Sequence, residues 1–304
     1  MGSDNALIVI AGPTAIGKTD LAIKIALDFD TEILSADSRQ FYKEMSIGTA
    51  KPNQNELDLV KHHFIDSISI EESYSAGSFE NDALLKLGQI YSNKNTAVLV
   101  GGSGLFIKAV CEGFDVFPNV DPLVRDLLNK RYADEGIQTL QDQLVHLDPA
   151  YASEVDINNP QRLIRALEVC ISTGKPFSLY RLNAIKQNRC FSSIKIGLNM
   201  DRPLLYERIN KRVDMMIEAG LVNEVEKLRP FRHLNALNTV GYSEIFDYLD
   251  GSLTLEQAID KIKQNTRRFA KRQLTWFRKD PEINWFHPED YTGITLYINQ
   301  LMQR

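Results

Sequence analysis

Eight residues, Gly12-Pro13-Thr14-Ala15-Ile16-Gly17-Lys18-Thr19, constrain this chain more than any others. They match the phosphate-loop pattern G-x-x-x-x-G-K-[ST]. The apolar run before them, residues 7–11, reads as a buried strand, and residues 20–26 after them read as a helix. A turn between strand and helix aims several backbone N–H groups at one point. Glycine lets that backbone approach an anion closely, and the helix N-terminus adds partial positive charge. Lys18 supplies a mobile ammonium and Thr19 a hydroxyl suited to Mg²⁺. The expectation is a phosphate or pyrophosphate site.

Around this loop the chain alternates strands and helices. Residues 31–36 read as a second strand ending at Asp37-Ser38, and residues 96–100 as a third ending at Gly101-Gly102-Ser103-Gly104. Such alternation predicts an α/β fold with a P-loop NTPase-like parallel sheet. In an open α/β sheet the loops after the strands share one crevice. Residues 12–19, 37–40 and 101–104 should therefore meet at one mouth.

From Phe117 the pattern changes. Residues 121–132, 137–147 and 160–172 look helical, with no strand between them. The division expected is a core of residues 1–116 and 193–304 and a helical insertion of residues 117–192. Strand character returns at residues 193–200, where Ile194, Ile196 and Leu198 alternate. Helices then follow at 202–219, 221–228 and 255–278.

Along that last helix, at about 100° per residue, Arg267, Arg268, Lys271, Arg272, Arg278 and Lys279 fall within an arc of about 140°. Phe269, Ala270, Leu274, Trp276 and Phe277 occupy the rest and should pack. No acid interrupts the basic stripe, so it reads as a polyanion contact although the net charge of the 304 residues is −5. Cys111, Cys170 and Cys190 form no C-x-x-C pair, and neither a disulfide framework nor a zinc site is indicated. No apolar run approaches the roughly 18 residues of a membrane span. The first strand begins too early for a signal peptide, which points to a cytoplasmic protein.

Phosphate-loop hydrolases and kinases usually carry a second strand ending in an Mg²⁺-holding Asp. Here residues 98–100 run into Gly-Gly-Ser-Gly, and the acid stands instead at Asp37. A carboxylate at an anion site suits proton abstraction, but Asp at a strand end is equally a helix N-cap. Spacing alone leaves both readings open. The five histidines are scattered apart from His62-His63, which as neighbours form no chelating pair.

Taken together, these residues resemble one family. Residues 12–19, Asp37-Ser38-x-Gln40-x-Tyr42, Gly48-Thr49-Ala50-Lys51-Pro52, His62-His63-x-Ile65-Asp66, Gly101-Gly102-Ser103-Gly104-Leu105, Gln161-Arg162-x-x-Arg165 and Ala270-Lys271-Arg272-Gln273-x-Thr275-Trp276 closely resemble the tRNA dimethylallyltransferases, also called tRNA isopentenyltransferases. Ser103 stands where that family usually has Thr, and Phe106 where it usually has Tyr.

The resemblance implies transfer of a dimethylallyl group from dimethylallyl diphosphate to N6 of the adenosine at tRNA position 37. Residues Gly12, Pro13, Thr14, Ala15, Ile16, Gly17, Lys18 and Thr19, with Arg212, would then hold the leaving diphosphate, and Thr19 would meet Mg²⁺ through it. Asp37 would be the general base, with Ser103 and Lys18 also catalytic. Asp37, Ser38, Arg39, Gln40, Ser103, Arg125, Gln161, Arg162, Leu163, Ile164, Arg165, Arg267, Arg268, Lys271 and Arg272 would contact tRNA at its anticodon stem-loop. The resemblance fits a monomer with no membrane or protein partner. The alternatives are prenyl transfer to free adenine nucleotides, a phosphate-loop kinase, or a non-catalytic RNA-binding module. The first two would need no RNA-gripping insertion or basic stripe, and intact Lys18, Thr19 and Asp37 oppose the third.

Overall fold

In the computed structural model, which describes residues 5–115, 117–181 and 189–303, every residue of strand β1 (Ala6–Ala11) is buried. That is the burial of a central parallel strand covered on both faces. Ile8 and Ile10 point into one apolar layer, Leu7 and Val9 into the other. The strand is flanked by β4 (Thr96–Gly101) and β5 (Ser192–Leu198), with Ile8 opposite both Val98 and Ile194. β2 (Ile33–Ser35), β3 (His62–His63) and β6 (Asn284–Phe286) complete a six-stranded sheet in the order β3-β2-β4-β1-β5-β6. All its pairings are parallel. The expected α/β sheet is present. Neither β3 nor β6 was foreseen, since two or three residues carry no readable alternation.

The helices, in chain order, are α1 (Lys18–Asp28), α2 (Gln54–Leu59), α3 (Ala76–Tyr91), α4 (Gly104–Glu112), α5 (Pro122–Glu135), α6 (Ile137–Leu147), α7 (Pro149–Glu154), α8 (Pro160–Thr173), α9 (Arg202–Glu218), α10 (Leu221–Lys227), α11 (Tyr242–Leu249), α12 (Leu255–Phe277) and α13 (Tyr291–Met302). The described residues fall into two units, divided after Cys111 and before Arg189. In the larger, α1, α9 and α13 cover one sheet face and α3 and α4 the other. α10, α11 and the first half of α12 pack around Tyr242, Ile245 and Ile262 in a separate apolar cluster.

In the smaller unit, α8 is set by local signals. The Asn159 side chain accepts the N–H of Arg162, Pro160 takes the first helical position, and Gly174 ends the helix at φ 67°. Leu163, Ile164 and Leu167 then face Leu128, Leu140, Leu144 and Phe177. Leu163 and Ile164 are 0% and 1% exposed. Their assignment to RNA contact is therefore corrected: on an amphipathic helix these two are the packing face.

α12 ends at Phe277, so Arg278 is its C-cap and Lys279 lies beyond the helix. Ala270, Gln273 and Phe277 are buried, but Phe269 and Trp276 are 39% and 41% exposed. Both had been placed on the packing arc. What covers a helix face is decided by other elements, and none fully covers these two rings.

Candidate active site

α1 opens at Gly17, whose φ of 100° suits glycine and which brings no side-chain cap. Its first-turn N–H groups are thus left for an anion. Ala15, at φ 63°, holds an uncommon conformation for a residue with a Cβ, as strained loops at functional sites do. Lys18 Nζ arches back to donate to Pro13 O at 2.7 Å. Removal from water pulls its pKa down to about 7; Asp37 opposes that shift and Arg212 adds to it.

A cavity of about 250 Å³ lies over this loop, lined by residues 14–20 with Asp37, Gln40, Thr49, Ala50, Lys51, Glu56, Arg208 and Arg212. Burial, then Arg208, lowers the pKa of Arg212 as well. Arg212 and Lys18 are thus two cations crowded at one site, an arrangement that favours a bound polyanion. Arg208 was not among the expected site residues. It stands one turn before Arg212 on α9, a spacing that could have revealed it.

A second cavity of about 550 Å³ is lined by Asp37, Ser38, Arg39, Ser103, residues 238–241 and the apolar side chains of Val213, Met216, Ile262 and Phe269. Thr14, Asp37, Thr49, Ala50, Arg212, Phe269 and Gln273 line both cavities. Asp37 therefore stands where a cationic chamber meets a larger, partly apolar one.

Asp37 does not cap a helix. The chain after it is a turn, in which Asp37 Oδ1 accepts the N–H of Arg39 at 3.0 Å. Among the described residues no hydrogen bond to Oδ2 is seen. Ser103 Oγ accepts the N–H of Ser38 at 3.0 Å and bonds Ser38 Oγ at 3.2 Å, tying the loop after β4 to the loop after β2. Gln40 Nε2 donates to Thr49 O and Ala50 O, while its Oε1 accepts from Ser35 Oγ. Its bonds are those of an internal brace, not the expected RNA contact. Phe106 packs against Phe41 and Phe79 at ring separations of 5.5 and 5.3 Å, so its ring serves packing.

Gln273 was also missed as a site residue. Its Oε1 accepts the N–H of Thr14 and its Nε2 donates to Gly102 O, each at 2.9 Å.

The remaining expected residues separate by unit. In the larger, Arg268, Lys271 and Arg272 are exposed on α12, whereas Arg267 is half-buried and donates to Asn210 Oδ1 at 2.7 Å. In the smaller, Gln161 and Arg162 are exposed. Arg125 donates to Glu168 Oε2 at 2.6 Å, and Arg165 also bonds the Glu168 carboxylate. Glu168 is buried, so the two arginines neutralise it while keeping partly exposed guanidiniums. Arg165 also stacks over Phe117 at 5.1 Å. Among the described residues, no helix is long and apolar enough to cross a membrane.

A family model described as IPP transferase matches residues 40–280. A tRNA dimethylallyltransferase of Christiangramia forsetii is 60% identical over 295 residues, which are 97% of this chain and 97% of that protein. One from Flavobacterium johnsoniae is 50% identical over 96% of both chains. The crystal structure of the tRNA isopentenylpyrophosphate transferase from Bacillus halodurans is 39% identical, with a TM-score of 0.73, and covers 98% of this chain and 97% of that one. A eukaryotic dimethylallyltransferase described as acting on tRNA is 25% identical, with a TM-score of 0.81, over 97% of this chain and 77% of that one.

Proposed function

The chain belongs to the IPP transferase family of tRNA dimethylallyltransferases, and we propose that it uses the junction at Asp37 to join a dimethylallyl group to N6 of the adenosine at position 37. It is a transferase acting on tRNA. The finer assignments of donor, base, ion and RNA grip are our reading. The observation that carries them is the place of Asp37, shared by the cationic and the partly apolar cavity.

The donor is dimethylallyl diphosphate, with its diphosphate over residues 14–19 and its apolar tail toward the larger cavity. As the allylic C–O bond breaks, negative charge grows on the departing diphosphate. The first-turn N–H groups of α1, Lys18, Arg208 and Arg212 face that charge, and preorganised cations and amides lower such a barrier. The adenine N6 attacks the allylic carbon, a C–N bond forms, and the N6 proton passes to Asp37. The target base must leave its stack to arrive there.

A Mg²⁺ ion fits this reading. Among the described residues no group of three or more His, Cys, Asp or Glu side chains could hold a metal alone. Mg²⁺ is commonly bound by one or two protein groups together with substrate phosphates and water. Thr19, with Asp20 beside it, is positioned for that, and the ion would supply charge neutralisation on the diphosphate.

RNA contact is assigned to Arg268, Lys271 and Arg272 on α12 and to Gln161, Arg162, Arg125 and Arg165 on the insertion. Exposed cations on both units support recognition of an anticodon stem-loop rather than a free nucleotide. The residues assigned to the donor need no second copy of the chain, so the reading takes the protein as a monomer, and tRNA as substrate fits a cytoplasmic enzyme. Incubating the protein with dimethylallyl diphosphate, Mg²⁺ and unmodified tRNA, then digesting the RNA, should yield N6-dimethylallyladenosine by mass spectrometry. Prenylated free AMP with unmodified tRNA would favour the nucleotide alternative.

A further inference from the structure

One wall of both cavities is a loop without helix or strand. Gly48, Thr49 and Ala50 line the larger cavity, and Thr49, Ala50 and Lys51 the smaller. A loop of this kind takes its shape from the bonds made to it. Three of its backbone N–H groups go to one side chain, Glu224 on α10. Glu224 Oε2 accepts from Ser46 at 3.1 Å and Ile47 at 2.8 Å, and Oε1 accepts from Gly48 at 3.0 Å. The same Oε1 accepts the Tyr242 hydroxyl at 2.6 Å.

Tyr242 is fully buried, and Gly48 approaches its ring closely. A Cβ at position 48 would come within 2.4 Å of the Tyr242 ring, so only glycine allows this approach. Burial and the neighbouring Glu224 carboxylate raise the Tyr242 pKa, which keeps its hydroxyl a donor. On the other side of the loop, Gln40 donates to Thr49 O and Ala50 O, and the Gln40 N–H donates to Asp37 O at 3.2 Å. An unbroken path of hydrogen bonds and backbone runs from α10 to the turn that carries Asp37.

The geometry points to Glu224 as a positioning residue for dimethylallyl transfer: its carboxylate sets the loop that walls both cavities and, through Gln40, the placement of Asp37. The inference rests on reading the Asp37 junction as the reacting centre. A small misplacement of a reacting group costs far more in rate than in folding.

Glu224→Gln keeps the shape but turns an NH₂ toward backbone N–H groups that need an acceptor. The control is Glu44→Gln. Glu44 likewise clamps backbone, accepting from Ile70 N at 2.9 Å and Ser69 Oγ at 3.1 Å, but lines neither cavity. Single-turnover transfer should be measured with both substrates saturating, well below each variant's melting temperature. The expected result is a fall of about 10- to 100-fold for Glu224→Gln, with tRNA affinity within about threefold and with Glu44→Gln at the parent rate. A Glu224→Gln rate within threefold of the parent, or an equal loss in Glu44→Gln, overturns the proposal. If Glu224→Gln does not fold, Tyr242→Phe removes one of the four bonds and should slow transfer about three- to tenfold; a parent-like rate there also overturns it. If the unmutated protein makes no N6-dimethylallyladenosine, the underlying reading fails, a result distinct from any variant's.

Discussion

Gln273 accepts the backbone N–H of Thr14 at 2.9 Å, across 259 residues of sequence. One edge of α12 thereby holds the phosphate loop, while Arg268, Lys271 and Arg272 on the same helix face solvent. Gln273→Ala leaves the Thr14 N–H and Gly102 O without their partner in a largely buried place. It should lower stability by about 1–3 kcal/mol in urea unfolding and weaken retention of the isoprenoid diphosphate. Parent-like values of both would show that the bond does not support the loop.

Lys18 makes both stability and donor binding depend on pH. Its folded pKa of about 7 lies below the ordinary 10.5. Between these values the unfolded chain holds more protons, so stability rises with pH through that window, and the full penalty is present below pH 7. A bound diphosphate reverses the shift, so binding takes up a proton and weakens as pH climbs above 7. Calorimetry in buffers of different ionisation enthalpy should detect the uptake, and Lys18→Ala should abolish it.

Asp37→Asn keeps the side-chain shape and the Oδ1 acceptor for the Arg39 N–H but removes the basic carboxylate. The chemical step should slow by about 10²–10⁴-fold with RNA affinity retained. If affinity collapses while single-turnover chemistry persists, Asp37 is a binding residue.

Arg212→Ala removes a half-buried cation from the smaller cavity while leaving the exposed basic faces intact. Diphosphate binding should weaken and stem-loop affinity should stay near the parent's. Equilibrium binding of each ligand, measured separately, tests the split.

Arg162 and Arg165 should behave differently although they share a helix. Arg162 is exposed, so Arg162→Ala should weaken tRNA binding, flatten its dependence on log salt by about 0.7–0.9 per phosphate contact, and leave stability unchanged. Arg165→Ala should do the same to binding and also destabilise the insertion, because the buried Glu168 would keep only Arg125. Salt titrations beside thermal melts separate the two, and a parent-like slope in both variants removes the insertion from the RNA contact.

The sequence by itself determined the phosphate loop, the central strands, most long helices and the meeting of the three strand-end loops. Each is written within a few consecutive residues: Gly17-Lys18-Thr19 after an apolar run, Asn159-Pro160 opening α8, Thr254 opening α12. Only the tertiary structure decided the rest. Gln273 at the site, and Glu224 bracing its wall, act through partners tens to hundreds of residues away, and no local pattern marks such a pairing. β3 and β6 exist because a neighbouring strand offers hydrogen bonds to two or three residues. Phe269 and Trp276 have the composition of a packing face, yet burial depends on what lies opposite a side chain. For the same reason the choice of Asp37 between helix cap and site carboxylate was open in the sequence; the turn that follows it excludes the cap, and the two cavities it lines support the proposed role.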